Sequence, residues 1–148
     1  MIFVSILPME SNIKAKILKV VGLIHIKNKK LLVAKSEKYD KYYLPGGKIE
    51  VNESPLEALS REIKEELGTE LLETSIKAFN LIKADAYGQG DGVKVEMHCY
   101  QADLKGEPKP QAEIESLDWF SYQDLDKCPP AGKIVMDLLL EQNLILKS

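Results

Sequence analysis

The sequence predicts an α/β (α+β) domain, a mixed β-sheet with helices on its faces. Three observations carry the prediction. Apolar and β-branched runs of strand length recur along the chain; two longer segments carry apolar residues at helical spacing; and no stretch repeats itself or reads as a linker. The 148 residues are 45% apolar and 29% charged, near the globular mean, so one self-sufficient core is expected. Residues 1–14 read as an N-terminal arm or added strand, with Met9 a second candidate start, and residues 15–148 as a single domain. The opening "MIFVSILPM" is too short to span a bilayer and lacks the basic flank and cleavage site of a secretory signal.

Taken in order, residues 16–36 are two apolar runs around "KNKK", the pattern of a hairpin about a polar turn. "YYLPGG" closes a short strand with a loop. Ser54 is then placed to cap a helix, Pro55 fits its first position, where no N–H is needed, and Glu57 completes an S-x-x-E capping box. Gly68 supplies the stop, and Leu56, Leu59, Ile63 and Leu67 form the buried stripe. Residues 70–84 and 92–104 contain strand-like runs, the second alternating as Val93, Val95, Met97 and Cys99, with a glycine-rich turn between them. "IESLDWFSY" reads as another strand, "QDL" as a helical turn, and "AGKIVMDLLLEQN" as a closing helix with Ile134 and Leu138 a turn apart and Glu141 to Asn143 leaving it.

Composition narrows the function. A formal charge of -3 with no basic stripe is a poor match for gripping long nucleic acid through its phosphates. The two cysteines, Cys99 and Cys128, lie far apart and form no C-x-x-C, which points away from a zinc knuckle or a disulfide framework and toward a reducing, cytoplasmic setting. Against this near-neutral background, residues 44–68 hold six glutamates. At about 100° per residue, Glu62, Glu65 and Glu66 share one helix face beside the leucine stripe. Like charges at this spacing repel. A solvated face is the commoner explanation of such a run; the sharper one is a hard cation such as Mg²⁺ (or Mn²⁺), which takes carboxylate oxygens and presents an acidic surface to a phosphate.

The spacing decides between the two. Gly47, five residues, Glu53, seven residues, then "REIKEELG" over 61–68 resembles the Nudix box, with Ile63 at its first bulky apolar position and Thr69 a mild departure at its last. The box spans 47–69, and the resemblance extends to "LPGGKIE", "WFS" and "PPA" before the last helix. It implies a Nudix-type α/β/α sandwich around a mixed β-sheet. It also implies metal ligation by Glu62, Glu65 and Glu66 with the Gly46 carbonyl, and a Glu53–Arg61 pair tying loop to helix. Lys48, beside Gly47, reads as a phosphate contact or a solvated lysine. For the general base, Glu62 and Glu65 are the in-box candidates. Glu113, with Glu115 its competitor, matches a late-loop carboxylate that several members add to the metal site.

The implied substrate is a small nucleotide, with no membrane or long nucleic-acid partner and a monomer or homodimer as the assembly. "GGKIE" and "PPA" are most like the MutT-type nucleoside triphosphate pyrophosphohydrolases, which release nucleoside monophosphate and pyrophosphate. Gly132 stands where the founding members place an asparagine that reads oxidised guanine, so that specialisation is not expected. Ala84 and Asp85 stand where ADP-ribose cleavers carry a proline, and the upstream signature of coenzyme A cleavers is missing. Tyr87 lies near the tyrosine position of dinucleoside polyphosphate hydrolases, the first alternative; a non-catalytic nucleotide-binding module and an isoprenoid diphosphate isomerase using Cys99 are the others. Tyr39, Tyr42 and Tyr43 offer aromatic faces to a base or pack at a strand end. Trp119 reads first as core and second as a stacking platform, and His25 as a core-edge residue; His98 faces away from Cys99.

Overall fold

The computed structural model describes residues 16–148; the expected N-terminal arm, residues 1–14, lies outside the described residues. Strand β1 (Lys16–Ile24) is followed by β2 (Ile26–Lys27), β3 (Lys30–Ser36) and β4 (Gly46–Lys48). Helix α1 (Pro55–Leu67) leads to β5 (Lys77–Asp85), β6 (Val93–Gln101), β7 (Ile114–Phe120) and helix α2 (Pro130–Glu141). Short 3-10 turns at Glu73–Ser75 and Tyr122–Lys127 complete the order. Two sheets result, a mixed one in the order β4-β1-β6-β5 and an antiparallel one in the order β2-β3-β7. In the mixed sheet β1 runs parallel to β6 and antiparallel to β4.

Side chains alternate across the strands, so each sheet feeds two cores. Val21, Leu23 and Leu32 pack with Ala58, Leu59, Ile63 and Leu67 of α1. Their sequence neighbours Ile24, Leu31 and Val33 point the other way and pack with Val135, Met136 and Leu139 of α2. This is the α/β/α sandwich, with strands buried on both faces.

Helix α1 starts and stops where its sequence signals lie. Ser54 Oγ accepts from the Glu57 N–H at 3.1 Å, Glu57 Oε1 accepts from the Ser54 N–H at 2.9 Å, and Gly68 closes the helix with φ 64°. Two expectations need correction, the 16–36 hairpin and the glycine-pair loop. The 16–36 region is not one long hairpin: the chain changes sheets at His25, whose carbonyl accepts from Leu32 N–H while its Nδ1 pairs with the Ala102 carbonyl. Only β2 and β3 pair across a turn whose Asn28 and Lys29 have φ 54° and 59°, the geometry of a two-residue hairpin. The glycine pair lies in β4 rather than in a loop, because β1 supplies a partner strand that local sequence does not reveal. The strand-like run expected within 70–84 is β5, which starts at Lys77 after the turn at 73–75. In α2 the buried face is Val135, Met136 and Leu139, with Ile134 exposed and Leu138 only partly buried; the helix is apolar around most of its circumference, and tertiary packing chose the face.

Candidate active site

Strand β4 and helix α1 meet at the glycine pair, and both glycines are required by what they touch. Gly46 has φ 148°, and a Cβ there would stand 1.9 Å from the Val21 carbonyl oxygen. At Gly47 a Cβ would stand 2.1 Å from Glu62 Oε2. The bare Gly46 lets β4 lie close on β1, and the bare Gly47 lets α1 set Glu62 against the strand.

Those carboxylates sit in different surroundings. Glu66 is buried, and its Oε1 accepts the Gly46 N–H at 3.0 Å. Burial pushes its carboxyl up to about 8, against the pull of that N–H and with help from the negative charges of Glu62, Glu113 and Glu65. Glu62 is half-buried and also raised, by burial first and then by Glu65 and Glu113 against Arg61. Glu65 is exposed. Arg61 organises the rest: its Nε and Nη2 donate to both oxygens of Glu53, at 2.8 and 2.9 Å, and Nη2 also donates to the Lys48 carbonyl at 3.0 Å. Its Nη1 approaches Glu65 at 3.3 Å and Glu62 at 3.4 Å. The bidentate pair holds Glu53 down at about 2, with the Glu50 N–H as a second donor.

A cleft of about 560 Å³ opens beside this point, lined by Gly46, Gly47, Lys48, Glu66 and Glu113. Val20, Val95, Met97, Ala131 and Gly132 line it as well, with Tyr39, Tyr43 and Tyr87. Of the two late-loop carboxylates, Glu113 lies on the cleft wall, whereas Glu115 pairs with Lys35 at 3.2 Å. Glu113 is thus near enough to hinder the ionisation of both Glu62 and Glu66. Yet among the described residues no three His, Cys, Asp or Glu side chains gather into a metal-holding group. The expected three-glutamate cluster is not formed as such, because Arg61 draws Glu62 and Glu65 toward itself. The donor chemistry still fits a hard divalent cation: carboxylate oxygens beside backbone carbonyls, one of them buried at a cost that only a cation or a proton offsets.

Other expected residues fall away from the cleft. Tyr42 packs on Phe120, with ring centroids 5.0 Å apart. Trp119 joins the α1 core and tilts against His25. Cys99 is buried, off the cleft wall, and its thiol is pushed up to about 12 by burial, so it is no nucleophile for an isomerase. Cys128, likewise buried and free, is pushed up to about 11. Besides the tyrosines the structure adds Lys38 and Gln89 to the wall, and Asp40 as the acceptor of the Tyr87 hydroxyl. None of the three has a sequence signal, since two loops distant in the chain bring them together.

This architecture has known counterparts. The MutT NUDIX hydrolase from Burkholderia pseudomallei is 28% identical over 86% of this chain and 98% of its own, with a TM-score of 0.63. The E. coli ORF135 protein is 26% identical over 87% and 92%, with a TM-score of 0.65. The MutT protein from Methanosarcina mazei Go1, at 18% identity over 87% and 96%, shares the fold with a TM-score of 0.71. No curated protein matches the chain. No helix among the described residues is long and apolar enough to cross a membrane. The family model for the NUDIX domain matches residues 16–138, and with it the chain belongs to the Nudix family, as a MutT-like hydrolase of pyrophosphate bonds in nucleoside diphosphate-linked substrates.

Proposed function

We propose that the protein is a Mg²⁺-dependent (or Mn²⁺-dependent) pyrophosphohydrolase of nucleoside triphosphates, releasing nucleoside monophosphate and pyrophosphate. The observation that carries the reading is the buried Glu66 carboxyl, held on the Gly46 N–H, in a cleft that Glu113 and the aromatic rings of Tyr39, Tyr43 and Tyr87 also line. Carboxylates for a cation and aromatic faces for a nucleobase match the two halves of a nucleotide.

Glu62, Glu65 and Glu66, with the Gly46 carbonyl and Glu113, are the proposed ligands. A bound divalent cation supplies charge neutralisation at phosphate oxygens and a lowered pKa for the attacking water. The chain does the rest. Arg61 and Glu53 fix the loop on the helix, and Lys48, which lines the same cleft, supplies an ammonium to meet a phosphate oxygen. Glu62 or Glu65 accepts the proton of the water as it attacks phosphorus. The P–O–P bridge breaks, and pyrophosphate leaves with the electron pair. Two free, buried cysteines support a reducing, cytoplasmic setting as part of the same proposal.

Tyr87 on the cleft wall favours a second reading, a dinucleoside polyphosphate hydrolase. Product analysis separates them. Incubated with Mg²⁺ and a panel of nucleoside triphosphates and diadenosine polyphosphates, the protein should form monophosphate and pyrophosphate from the triphosphates. Turnover confined to the dinucleotides would select the second reading, and folded, metal-loaded protein inert on every compound would overturn both in favour of a non-catalytic binding module.

A further inference from the structure

One polar atom in the cleft region is unexplained by the fold. The Tyr43 hydroxyl is buried and, among the described residues, has no hydrogen-bond partner. An unpaired buried hydroxyl carries a desolvation cost that a phenylalanine would avoid, so its presence calls for a partner the folded chain does not supply. The residue is held firmly: Tyr43 N–H donates to the Ala34 carbonyl and Ala34 N–H to the Tyr43 carbonyl, both at 2.8 Å, while the ring lies 5.6 Å from that of Tyr39. Its ring lines the cleft, and its hydroxyl is sealed off.

Tyr39, Asp40 and Tyr87 stand near that hydroxyl, on two loops that are bonded to each other. The turn between β5 and β6 reaches the segment before Tyr43 through Tyr87 Oη donating to Asp40 Oδ1 at 2.8 Å and Gln89 Nε2 donating to Tyr39 Oη at 3.1 Å. Both bonds join exposed side chains, and the turn carries Gly88, Gly90 and Gly92 at positive φ. Such a strap opens at little cost. The sealed hydroxyl stays protonated, since burial and the neighbouring Tyr39, Tyr87 and Asp40 push it up to about 12; it is a donor, not an anion. Gly132, on the same cleft wall, has no side chain to read a base edge.

We propose that Tyr43 is a specificity-determining residue: once the 86–92 strap lifts off Tyr39 and Asp40, its hydroxyl donates to a carbonyl oxygen or ring nitrogen of the substrate's nucleobase. The inference rests on the nucleotide reading of the cleft but not on catalysis.

Binding therefore tests it. Mg²⁺-loaded wild type and Y43F are titrated calorimetrically with α,β-methylene nucleoside triphosphates of four bases, and with inorganic tripolyphosphate as the probe that lacks a base. Y43F should bind the preferred nucleotide about tenfold more weakly, the loss of one hydrogen bond, flatten the ranking among bases, and leave tripolyphosphate affinity unchanged. It should melt at or above the wild-type temperature, because it removes an unpaired group and no contact. Equal nucleotide affinities in both proteins overturn the proposal, as does a parallel loss for tripolyphosphate or a melting point several degrees lower. Absence of nucleotide binding by wild type overturns it too. Base-selective binding that depends on Tyr43, with no turnover of the natural triphosphates, supports it while refuting the pyrophosphohydrolase reading.

Discussion

Two glutamates four residues or fewer apart on one helix meet opposite environments, and their substitutions should differ from that of a nearby surface acid. Glu66 is buried against Gly46, Glu65 is exposed beside Arg61, and Glu115 is spent on Lys35. E66Q and E65Q should each lower kcat by roughly a hundredfold or more, since even outer partners of metal sites cost ten- to a hundredfold. E115Q should stay near wild type. Pyrophosphate release at saturating nucleotide, with circular dichroism as the fold control, measures all three; full activity in E66Q would remove it from the ligand set. The Glu53–Arg61 pair predicts a pH effect. Glu53 titrates at about 2 in the fold against an ordinary 4.5, so the folded state favours its charged form. The pair's contribution to stability is complete above pH 4.5 and lost as pH falls through about 2. Thermal melts from pH 7 to pH 2 should show wild type losing more than E53Q across that window; parallel curves would mean the pair does not stabilise the loop.

At the level of elements, the signals legible in the sequence were those made by neighbours in the chain. Ser54, Pro55, Glu57 and Gly68 name both ends of α1 because caps are local hydrogen bonds, and the 47–69 spacing names the box for the same reason. Long-range choices were not legible. Nothing near His25 announces that its carbonyl leaves β1's sheet for Leu32, and nothing in "YYLPGG" reveals that β1 will pair with Gly46–Lys48. The site divides in the same way. Glu62, Glu65 and Glu66 were visible as a face, but the pull of Arg61 on two of them, and the meeting of Tyr39 with Gln89, depend on packing. Strand β4 yields its own prediction. In G47A the new Cβ meets only the far end of the Glu62 side chain, which can swing aside, so the melting temperature should change by no more than a few degrees. Glu62 would nonetheless be driven from its place, and kcat should fall at least about tenfold. A G47A protein with unchanged turnover would show that the position of Glu62 does not matter.

Across the whole molecule, two cores hold the sheets rigid between α1 and α2, and the glutamates at the cleft concentrate repulsion. Glu113 raises the cost of ionising Glu62, and both raise that of Glu66, so the fold carries a local electrostatic strain that a bound cation relieves. A ligand that binds only the folded state stabilises it by about 2.7 kcal/mol at a hundred times its Kd. For a domain of this size each kcal/mol moves Tm by about 2–4 °C, so saturating Mg²⁺ should raise it by roughly 5–10 °C. Screening by salt also relieves repulsion, which makes NaCl at matched ionic strength the necessary control. The specific effect should exceed the NaCl effect in wild type and shrink in E66Q, where the buried carboxyl and one ligand oxygen are gone. If NaCl reproduces the whole shift, or E66Q keeps it, the acidic part of the cleft is only a repulsive patch, and the chemistry assigned to it must be sought elsewhere on the chain.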